Sequence, residues 1–326
     1  MNQSSEFQAL CNLICAHTVA RCIHMIAELG VADVLDDEPA SAAALADAAG
    51  MNADALDRML RLLAANGVFV REGDGYMHTP MSVLLRSDHS RSLRPFARMI
   101  GMPAIWRGVT DLEHAARTGM PALNQAQMIS YLADHPAESS LFNQAMTSKS
   151  ADAVAAVVET YDFGAFDRIA DIGGGRGHLL QAILERTAAT GILFDLPQVI
   201  DDAAGIDPRQ IQLVGGDFFR DPLPVADAYI LMDILHGWAD DRAADILSGI
   251  HRSIPPHGRV FVIETLVSGS PGPHFGKTLD IMMLAVTGGR ERTGAEYGKL
   301  LESTGFYLER VTPTESQYSI VEAAVA

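Results

Sequence analysis

A stretch of alternating glycines near the middle of the chain constrains the fold more than any other feature. An apolar run, residues 169–172, leads into Gly173, Gly175 and Gly177, and a helix-like segment follows over residues 179–184. Glycine tolerates the dihedral angles of a sharp strand-to-helix turn, and its missing side chain lets a ligand approach the backbone. The following helix start offers free N–H groups and a partial positive charge. The stretch therefore predicts a ligand-binding loop in an α/β protein.

The spacing of the glycines discriminates between ligands. Dinucleotide-binding loops follow the pattern G-x-G-x-x-G, whereas here three glycines alternate and His178 follows the last of them. Counted from Asp171, the pattern is acid-x-Gly-x-Gly-x-Gly, which resembles motif I of class I S-adenosylmethionine (SAM) methyltransferases. An ordinary glycine turn in an α/β protein is the alternative that the spacing alone leaves open.

Length and charge limit the class of protein. The chain has 326 residues, enough for two domains, and 48% hydrophobic residues, enough for a sizeable core. Its net charge of −17 argues against a nucleic-acid partner, because such proteins usually present a basic face. The N-terminus lacks the basic start and apolar core of a signal peptide, and no apolar run is long enough to span a bilayer. We therefore expect a cytoplasmic protein that binds a small molecule, with no membrane partner.

Residues 1–98 have the pattern of a small helical domain that ends in a hairpin. Apolar residues at helical spacing run from Phe7 to Leu29. Residues 68–70 and 76–78 flank a glycine-containing turn, which predicts a β-hairpin. Helices followed by a hairpin are typical of a winged-helix module. Because this segment has no lysine and more acidic residues than arginines, we expect it to mediate dimerisation and not to bind DNA.

The first predicted helix carries too much apolar surface for a monomer. A surface helix needs one apolar stripe, and large exposed apolar patches are rare in monomers. Here the apolar residues point to more than one side of the helix: Phe7, Leu10, Cys11, Leu13, Ile14, Cys15, Val19, Cys22, Ile23 and Ile26. We expect a homodimer in which this helix contacts the partner.

Residues 99–326 are expected to form a second domain. Residues 99–160 look helical throughout, and their many methionines are typical either of core or of an adaptable pocket for a flat ligand. Strand and helix patterns then alternate, which predicts a parallel doubly wound sheet. The predicted strands are Arg168–Gly173, Thr190–Asp195, Ile211–Gly215, Asp227–Met232, Arg259–Thr265, Phe306–Val311 and Tyr318–Ala323. The link between the last two is too short to cross over, so that pair should be antiparallel.

Polar and aromatic residues follow successive strands at the edge where ligands bind in such sheets. Asp195 ends the second strand about twenty residues past the glycine loop, where an acid can bind a ribose diol. After the third strand, Asp217 could accept from an adenine amino group and Phe218 could lie against the ring. His236 follows the fourth strand, where a histidine predicts proton transfer. Taken singly, each of these residues also fits a cap, a turn or a structural role.

Several stretches together resemble the O-methyltransferase family of plant caffeic acid O-methyltransferases, acetylserotonin O-methyltransferases and bacterial antibiotic-tailoring enzymes. The likeness covers nearly the whole chain. The stretches are Asp171–Gly177, Phe194–Pro197, Gly216–Phe219, Leu235–Trp238, Asp280–Leu284 and Gly288–Thr293. The resemblance implies a Rossmann-like class I methyltransferase sheet of seven strands, an N-terminal dimerisation domain, SAM as methyl donor and S-adenosylhomocysteine as product. It also implies a small aromatic acceptor bearing a hydroxyl. We expect no metal, because the sequence shows no HExxH or other obvious cluster of ligands.

The resemblance assigns roles to individual positions. The family's catalytic base falls on His236, and its two flanking acids fall on Glu264 and Glu291. Cofactor contacts fall on Gly173, Gly175, Asp195, Leu196, Asp217, Phe218 and Met232. Substrate contacts fall on Phe142, Met146, Asp233 and Met283, with residues 99–160 lining the cleft.

Three positions depart from the family pattern. Met232 replaces a common lysine that touches the cofactor. Gly237 replaces the acid that often follows the catalytic histidine, and Asp233 replaces an aromatic or basic residue. The last two departures predict a recast acceptor pocket.

The expected reaction is methyl transfer from SAM to an aromatic hydroxyl, with His236 removing the proton. A phenol titrates near ~10 and histidine near ~6.5, so unaided transfer is uphill by about 5 kcal/mol. The charge of SAM and the two acids can close that gap. Two alternatives stay open: an enzyme of this fold that has drifted to hydroxylation or decarboxylation, and a ligand-sensing winged-helix regulator. The sequence does not name the acceptor.

Overall fold

The computed structural model describes residues 3–121, 123–201, 203 and 206–326. Contacts within this part of the chain divide it into two compact units, one with the residues up to Trp106 and Pro136–Lys149, the other with Arg107–His135 and Ser150–Ala326. The helices are α1 (Gln3–Ile14), α2 (His17–Glu28), α3 (Ala42–Ala49), α4 (Ala53–Ala65), α5 (Pro80–Val83), α6 (Arg94–Ile100), α7 (Pro103–Thr110), α8 (Leu112–Thr118), α9 (Gln125–Asp134), α10 (Pro136–Thr160), α11 (His178–Leu184), α12 (Pro197–Asp201), α13 (Asp240–His251), α14 (Phe275–Val286) and α15 (Gly294–Glu302).

Short 3₁₀-helices span Val31–Asp33 and Leu235–Gly237. The strands are β1 (Ala40–Ser41), β2 (Phe69–Glu72), β3 (Gly75–His78), β4 (Arg168–Ile172), β5 (Thr190–Asp195), β6 (Ile211–Gly215), β7 (Ala228–Met232), β8 (Arg259–Glu264), β9 (Phe306–Pro313) and β10 (Ser319–Val325).

The first unit contains the predicted winged helix. Strands β2 and β3 form an antiparallel hairpin, and the short β1, which the sequence did not reveal, pairs with the other side of β3. The side chain of Asn52 caps α4 by accepting from Ala55 N at 3.0 Å, as such residues commonly do. Helix and sheet residues share one apolar core: Ile26, Leu35, Leu45, Leu56, Leu60, Leu63, Phe69 and Tyr76.

The charges on α4 bear on the expectation that this module does not bind DNA. Arg58 lies 3.8 Å from Asp54, and Arg61 lies 3.8 Å from Asp57, each pair four residues apart on the exposed face. The arginines that a DNA-reading helix would direct at phosphates are therefore balanced locally by carboxylates.

The expected single helix from Phe7 to Leu29 is in fact two helices, α1 and α2, bent by 42°. At the break, Ala16 N donates to Leu13 O at 3.2 Å and Thr18 N donates to Cys15 O at 3.0 Å. These bonds span three residues, as in a 3₁₀ turn. The Thr18 hydroxyl also donates to Cys15 O at 2.7 Å. Such side-chain bonds compete with helical ones, and apolar periodicity does not reveal them.

None of the described helices is by itself long and apolar enough to cross a membrane. Only α1 and α2 taken together as a bent pair reach that threshold, by length and composition alone.

The second unit confirms the predicted fold class. In the described part of the chain its sheet has the order β6-β5-β4-β7-β8-β10-β9. Neighbouring strands from β6 to β8 are parallel, and β10 is antiparallel to both β8 and β9. Alternate residues enter the two faces, as the strand period requires: Ile172, Phe194, Leu231 and Val262 pack on one side, and Ile169, Leu193, Ile230 and Ile263 on the other.

The strand order determines where a ligand can bind. The chain runs from β4 outward to β5 and β6, then returns to place β7 on the other side of β4. The crevice at the carboxyl ends of β4 and β7 is the ligand-binding position in open α/β sheets. The glycine loop follows β4, and Asp233 follows β7, so the sheet brings the two predicted parts of the site together.

Candidate active site

The glycine loop takes a backbone conformation that favours glycine. Gly173, Gly175 and Gly177 have φ of 72°, 59° and 72°. A Cβ on Gly175 would meet no atom within 4 Å, so the main chain there faces open space. A Cβ on Gly173 would lie 2.5 Å from Ile234, which precedes His236 in the chain by two residues. The loop therefore packs directly against the segment that carries the predicted base.

Asp195 is tied to this loop. Its Oδ2 accepts from Gly175 N at 2.8 Å, and its Oδ1 accepts from Leu196 N at 2.7 Å. Burial raises the pKa of Asp195, and these two hydrogen bonds oppose the increase. Beneath the loop, burial and then the charge of Asp195 raise the pKa of Asp171 to about 7. The open Gly175 backbone beside a half-buried carboxylate fits a nucleoside with a ribose diol.

The residues that follow β6 form an aromatic cluster next to the loop. Asp217 accepts from Phe219 N at 2.9 Å and lies 3.5 Å from the Arg220 guanidinium. The rings of Phe218 and Phe219 lie 6.2 and 4.7 Å from Trp238. A Cβ on Gly173 would lie 3.9 Å from the Phe218 ring, so the cluster adjoins the glycine loop. Contact of Asp217 and Phe218 with adenine stays a prediction.

The predicted base lies in the 3₁₀ turn Leu235–Gly237, directly after β7. His236 is 8% exposed, and its Nδ1 lies 2.6 Å from Glu291 Oε1. Its main-chain N donates to Glu264 Oε1 at 3.0 Å. Glu291 therefore contacts the ring of His236, whereas Glu264 holds its backbone. The two carboxylates therefore act on different parts of His236, one on the side chain and one on the main chain.

Two opposing effects set the proton affinity of His236. Burial acts to lower the pKa of the imidazole, but the hydrogen bond and charge of Glu291 and the charges of Glu264 and Asp233 together raise it to about 9. Burial raises the pKa of Glu264 to about 7, against the lowering effect of the His236 charge. The site therefore stabilises a positive charge on the imidazole, which is the state that a base reaches after taking up a proton.

Two residues that sequence reasoning missed support these acids. Tyr297 is fully buried and its hydroxyl donates to Glu264 Oε2. Asp280 Oδ1 accepts from Glu291 N at 3.0 Å. An aromatic residue at a buried helix position is usually core, so the sequence offered no signal for Tyr297, whereas Asp280 lies in one of the stretches that carry the family resemblance.

A third missed residue, Arg292, fixes the turn that carries His236. It is 1% exposed and donates to Leu235 O and Trp238 O, each at 3.0 Å, and to Asp240 Oδ1 at 2.9 Å. Each carbonyl is one or two residues from His236. The planar guanidinium suits such a set of bonds because its donors are held in a rigid fork.

The same stretch approaches the turn with its main chain. Arg290 N donates to His236 O at 2.8 Å. A Cβ on Gly289 would collide with the backbone at His236 and Gly237. Position 289 therefore has to be glycine for this close approach.

Asp233 stands on the other side of the imidazole. Its Oδ1 lies 3.8 Å from His236 Nε2, and its Oδ2 accepts from the Tyr318 hydroxyl at 2.7 Å. Among the described non-glycine residues, Asp233 is the one with positive φ, 55°. Such a conformation costs about 1–3 kcal/mol and recurs at functional sites. Tyr318 lies 85 residues further along the chain, and no sequence pattern connected it with Asp233.

The remaining predicted positions are half-buried. Met232 and Met283 lie in the second unit, and Phe142 and Met146 lie on the part of α10 that belongs to the first unit. Their contacts with cofactor or acceptor stay predictions.

Comparison with known proteins gives concordant matches. Residues 104–307 match the family model of the O-methyltransferase domain, and residues 11–88 match that of the O-methyltransferase dimerisation domain. Phenazine O-methyltransferase PhzM of Lysobacter antibioticus is 39% identical over 325 residues, which cover 96% of this chain and 95% of that protein.

Two solved structures resemble this one over 95% or more of the chain. Human N-acetylserotonin methyltransferase in complex with SAM has a TM-score of 0.90 at 27% identity, covering 100% of this chain and 99% of that one. The O-methyltransferase NcsB1 from neocarzinostatin biosynthesis, in complex with SAM and 2-hydroxy-5-methyl naphthoic acid, has a TM-score of 0.76 at 33% identity, covering 95% and 96%.

Proposed function

This chain belongs to the O-methyltransferase family, and from that premise we propose that it methylates a hydroxyl of a small aromatic secondary metabolite with His236 as the general base. The observation that carries the proposal is the 2.6 Å contact between His236 Nδ1 and Glu291. A proton held on Nδ1 by this carboxylate leaves the lone pair of the neutral ring on Nε2. Nε2 is therefore the atom that takes the proton of the acceptor hydroxyl.

We propose that the glycine loop, Asp195, Asp217 and Phe218 hold SAM. Support comes from the open backbone at Gly175 and from the carboxylate of Asp195 beside it. When bound, SAM supplies a methyl group made electrophilic by the adjacent sulfonium. Packing between the loop and Ile234 holds the cofactor site and the base in a fixed relation, which favours an in-line approach of the acceptor oxygen.

The electrostatics of the turn suit this reaction. A base with a pKa of about 9 lies within roughly one unit of a phenol, so proton transfer costs about 1.4 kcal/mol in place of about 5. The carboxylate of Glu291 contributes to this reduction, because its hydrogen bond and charge stabilise the imidazolium and raise the pKa of His236.

The proposed function is tested by incubating the protein with SAM and a library of phenols and hydroxylated heteroaromatics. We expect S-adenosylhomocysteine and a methylated product in equal amounts. Tight NAD binding without SAM binding would contradict the cofactor assignment. Conversion of an acceptor without S-adenosylhomocysteine formation would instead favour the drifted-enzyme alternative.

The pH dependence follows from the raised pKa of His236. The neutral imidazole is the base, and with a pKa of about 9 only about one molecule in a hundred is neutral at pH 7. We expect kcat/KM to rise about tenfold per pH unit from pH 7 towards 9 and then to level off. A pH–rate profile with the natural enzyme measures this.

Glu291→Gln provides the control for the pH profile. Its amide oxygen can still accept from Nδ1 but carries no charge. Because the Glu291 charge helps to raise the His236 pKa, the break in the profile of the variant should move to lower pH. An unchanged break would show that another group is being titrated.

We propose that the protein is a homodimer joined through the first unit. On α1, Phe7, Leu10, Leu13 and Ile14 are 72%, 59%, 72% and 65% exposed, and a monomer rarely leaves such a stripe uncovered. The match to the dimerisation domain begins at residue 11. We expect the double variant Leu10→Glu, Leu13→Glu to be monomeric by light scattering at micromolar concentration, whereas the natural chain is dimeric.

Substitutions on α1 test the dimer better than a truncation, because a truncation also disturbs the core of the first unit. Deleting residues 1–30 would also remove Ile26 and Ala27, both fully buried in the first unit. Arg58→Glu on the exposed face of α4 is a matched control and should stay dimeric. A natural chain that is monomeric at this concentration would refute the dimer.

A further inference from the structure

Tyr297 is connected to the turn of the base through Glu264. The tyrosine is fully buried, and its hydroxyl donates to Glu264 Oε2. The other oxygen of this carboxylate, Oε1, accepts from His236 N at 3.0 Å. Glu264 is also fully buried, so its two oxygens receive these protein donors in place of water. A charged oxygen that loses its donor in such a place is costly.

The start of α15 determines where the tyrosine hydroxyl lies. Thr293 caps the helix by accepting from Glu296 N at 3.2 Å, and Glu296 Oε2 accepts in return from Thr293 N at 2.8 Å. Tyr297 N then donates to Thr293 O at 3.0 Å. Such a capping box fixes the first turn of a helix. The guanidinium carbon of Arg292 also lies 5.6 Å from the centre of the Tyr297 ring, so neighbours in sequence hold the ring in place.

Charged and titratable groups from several elements surround the pair of Glu264 and His236. Those that act on Glu264 are His236 on its turn, Glu291 and Arg292 in the stretch before α15, Tyr297 in α15 and Tyr318 before β10. Asp233 acts on His236, and Asp280 in α14 accepts from Glu291 N.

Within this set, the tyrosine hydroxyl favours the charged form of Glu264. Burial raises the pKa of Glu264 to about 7, and the charge of His236 opposes that increase. A donor to a carboxylate stabilises its ionised form. The ionisation of Glu264 near neutral pH is therefore sensitive to the loss of one donor.

We propose that Tyr297 is a positioning residue for methyl transfer, whose hydroxyl keeps Glu264 ionised and oriented against the main chain of His236. The proposal rests on the proposed function for the role of His236 as the base. The charge of Glu264 is one of those that raise the pKa of His236. Tyr297 thus acts through Glu264 on the strength of the base, and it does not contact the imidazole or the acceptor.

The test is the pH–rate profile of Tyr297→Phe, which removes the hydroxyl and keeps the ring. Glu264 should be protonated more readily, and His236 then loses part of the negative charge beside it, so its pKa falls. We expect the break in kcat/KM to move to lower pH by about half a unit to one unit. Above the break, kcat should fall by about three- to tenfold because the base is weaker, with the KM for the acceptor nearly unchanged.

Tyr229→Phe is the matched control. Tyr229 is also fully buried, belongs to the same apolar core, and its hydroxyl donates to Pro224 O at 2.6 Å. Both variants should lose similar thermal stability, but Tyr229→Phe should leave the break where it is. A uniform loss of rate in Tyr297→Phe with no shift of the break would show a merely structural role and overturn the proposal, as would an equal shift in both variants.

The pKa of His236 can also be followed without turnover, by NMR titration of isotope-labelled histidine with His236→Ala to identify its signals. Tyr297→Phe and Glu264→Gln should each lower this pKa. The double variant should lower it no further than Glu264→Gln, because the tyrosine acts through the carboxylate charge. An unchanged His236 pKa in folded Tyr297→Phe overturns the proposal.

Glu264→Gln decides the matter if Tyr297→Phe does not fold. Its amide oxygen still accepts from the tyrosine hydroxyl but carries no charge, so an unchanged His236 pKa in this variant would also overturn the proposal. A His236 pKa that falls while the break in the rate profile stays unchanged has a different meaning. It would contradict His236 as the base, and with it the proposed function, and leave the link from Tyr297 to His236 supported.

Discussion

Replacing His236 with alanine is expected to lower kcat/KM for methyl transfer by about 10²- to 10⁴-fold, the usual contribution of a general base. Affinity for S-adenosylhomocysteine should change little, because the residues proposed to hold the cofactor follow other strands. The turn should keep its shape, since its main-chain bonds do not involve the imidazole: His236 N donates to Glu264 at 3.0 Å and His236 O accepts from Arg290 N at 2.8 Å. Steady-state kinetics and calorimetry measure the two quantities.

Glu291→Gln is the milder comparison for this prediction. It keeps the base and removes only the charge that assists it, so its loss of rate should be smaller than that of His236→Ala. If His236→Ala methylates an acceptor at nearly the natural rate, His236 is not the base. If it loses cofactor affinity to the same degree as activity, the defect lies in folding and not in proton transfer.

Replacing Arg292 with methionine is expected to lower kcat by about 10²-fold, the size of effect that a misplacement of about 1 Å can have on an aligned site. The substitution leaves Leu235 O and Trp238 O without the donors that hold them at 3.0 Å, so the turn between them can relax. The KM for the acceptor should change less than kcat, because Arg292 is 1% exposed and acts on the turn through its main-chain carbonyls. Losing these buried hydrogen bonds also costs about 1–3 kcal/mol of stability, which a thermal melt measures separately.

The chain supplies a matched control for Arg292. Arg290 contacts the same Asp240, at 3.4 Å, but its side chain is 46% exposed and it also pairs with Glu296. Arg290→Met should therefore cost little stability and less than threefold in kcat, as exposed ion pairs contribute little. Arg292→Lys keeps the charge but lacks the planar fork of donors, and its kcat should lie between those of Arg292→Met and Arg290→Met. A folded Arg292→Met enzyme as active as Arg290→Met would refute the positioning role.

The sheet could be predicted because each strand has a recognisable local pattern in the sequence. Buried parallel strands are continuous apolar runs, and Thr190–Asp195, which is buried over residues 191–194, has the predicted bounds. The short link after β9 was sufficient to predict an antiparallel last pair. The break between α1 and α2 was not predictable from periodicity, because it depends on hydrogen bonds at Thr18 that interrupt no apolar stripe.

The site could be predicted only as far as its residues follow strand ends or match the family stretches. The proximity of His236, Glu264 and Glu291 was implied by the resemblance, but not which part of His236 each acid contacts. Tyr297 reaches Glu264 across 33 residues of sequence, and Tyr318 reaches Asp233 across 85. Contacts of this range are set by the packing of the whole sheet and leave no spacing pattern.

Strand β10 enters the sheet between β8 and β9, although both are synthesised before it. β8 ends at Glu264 and β10 begins at Ser319, 55 residues later. Translation adds about 5–20 residues per second, so one edge of β8 stays unpaired for roughly 3–11 s until β10 has been synthesised. An unpaired strand edge is a template for association with other chains. Tyr318, which fixes Asp233, arrives with the same late strand. The nascent enzyme is thus vulnerable to misassembly in this interval. A low expression level protects it, because nascent chains then collide less often.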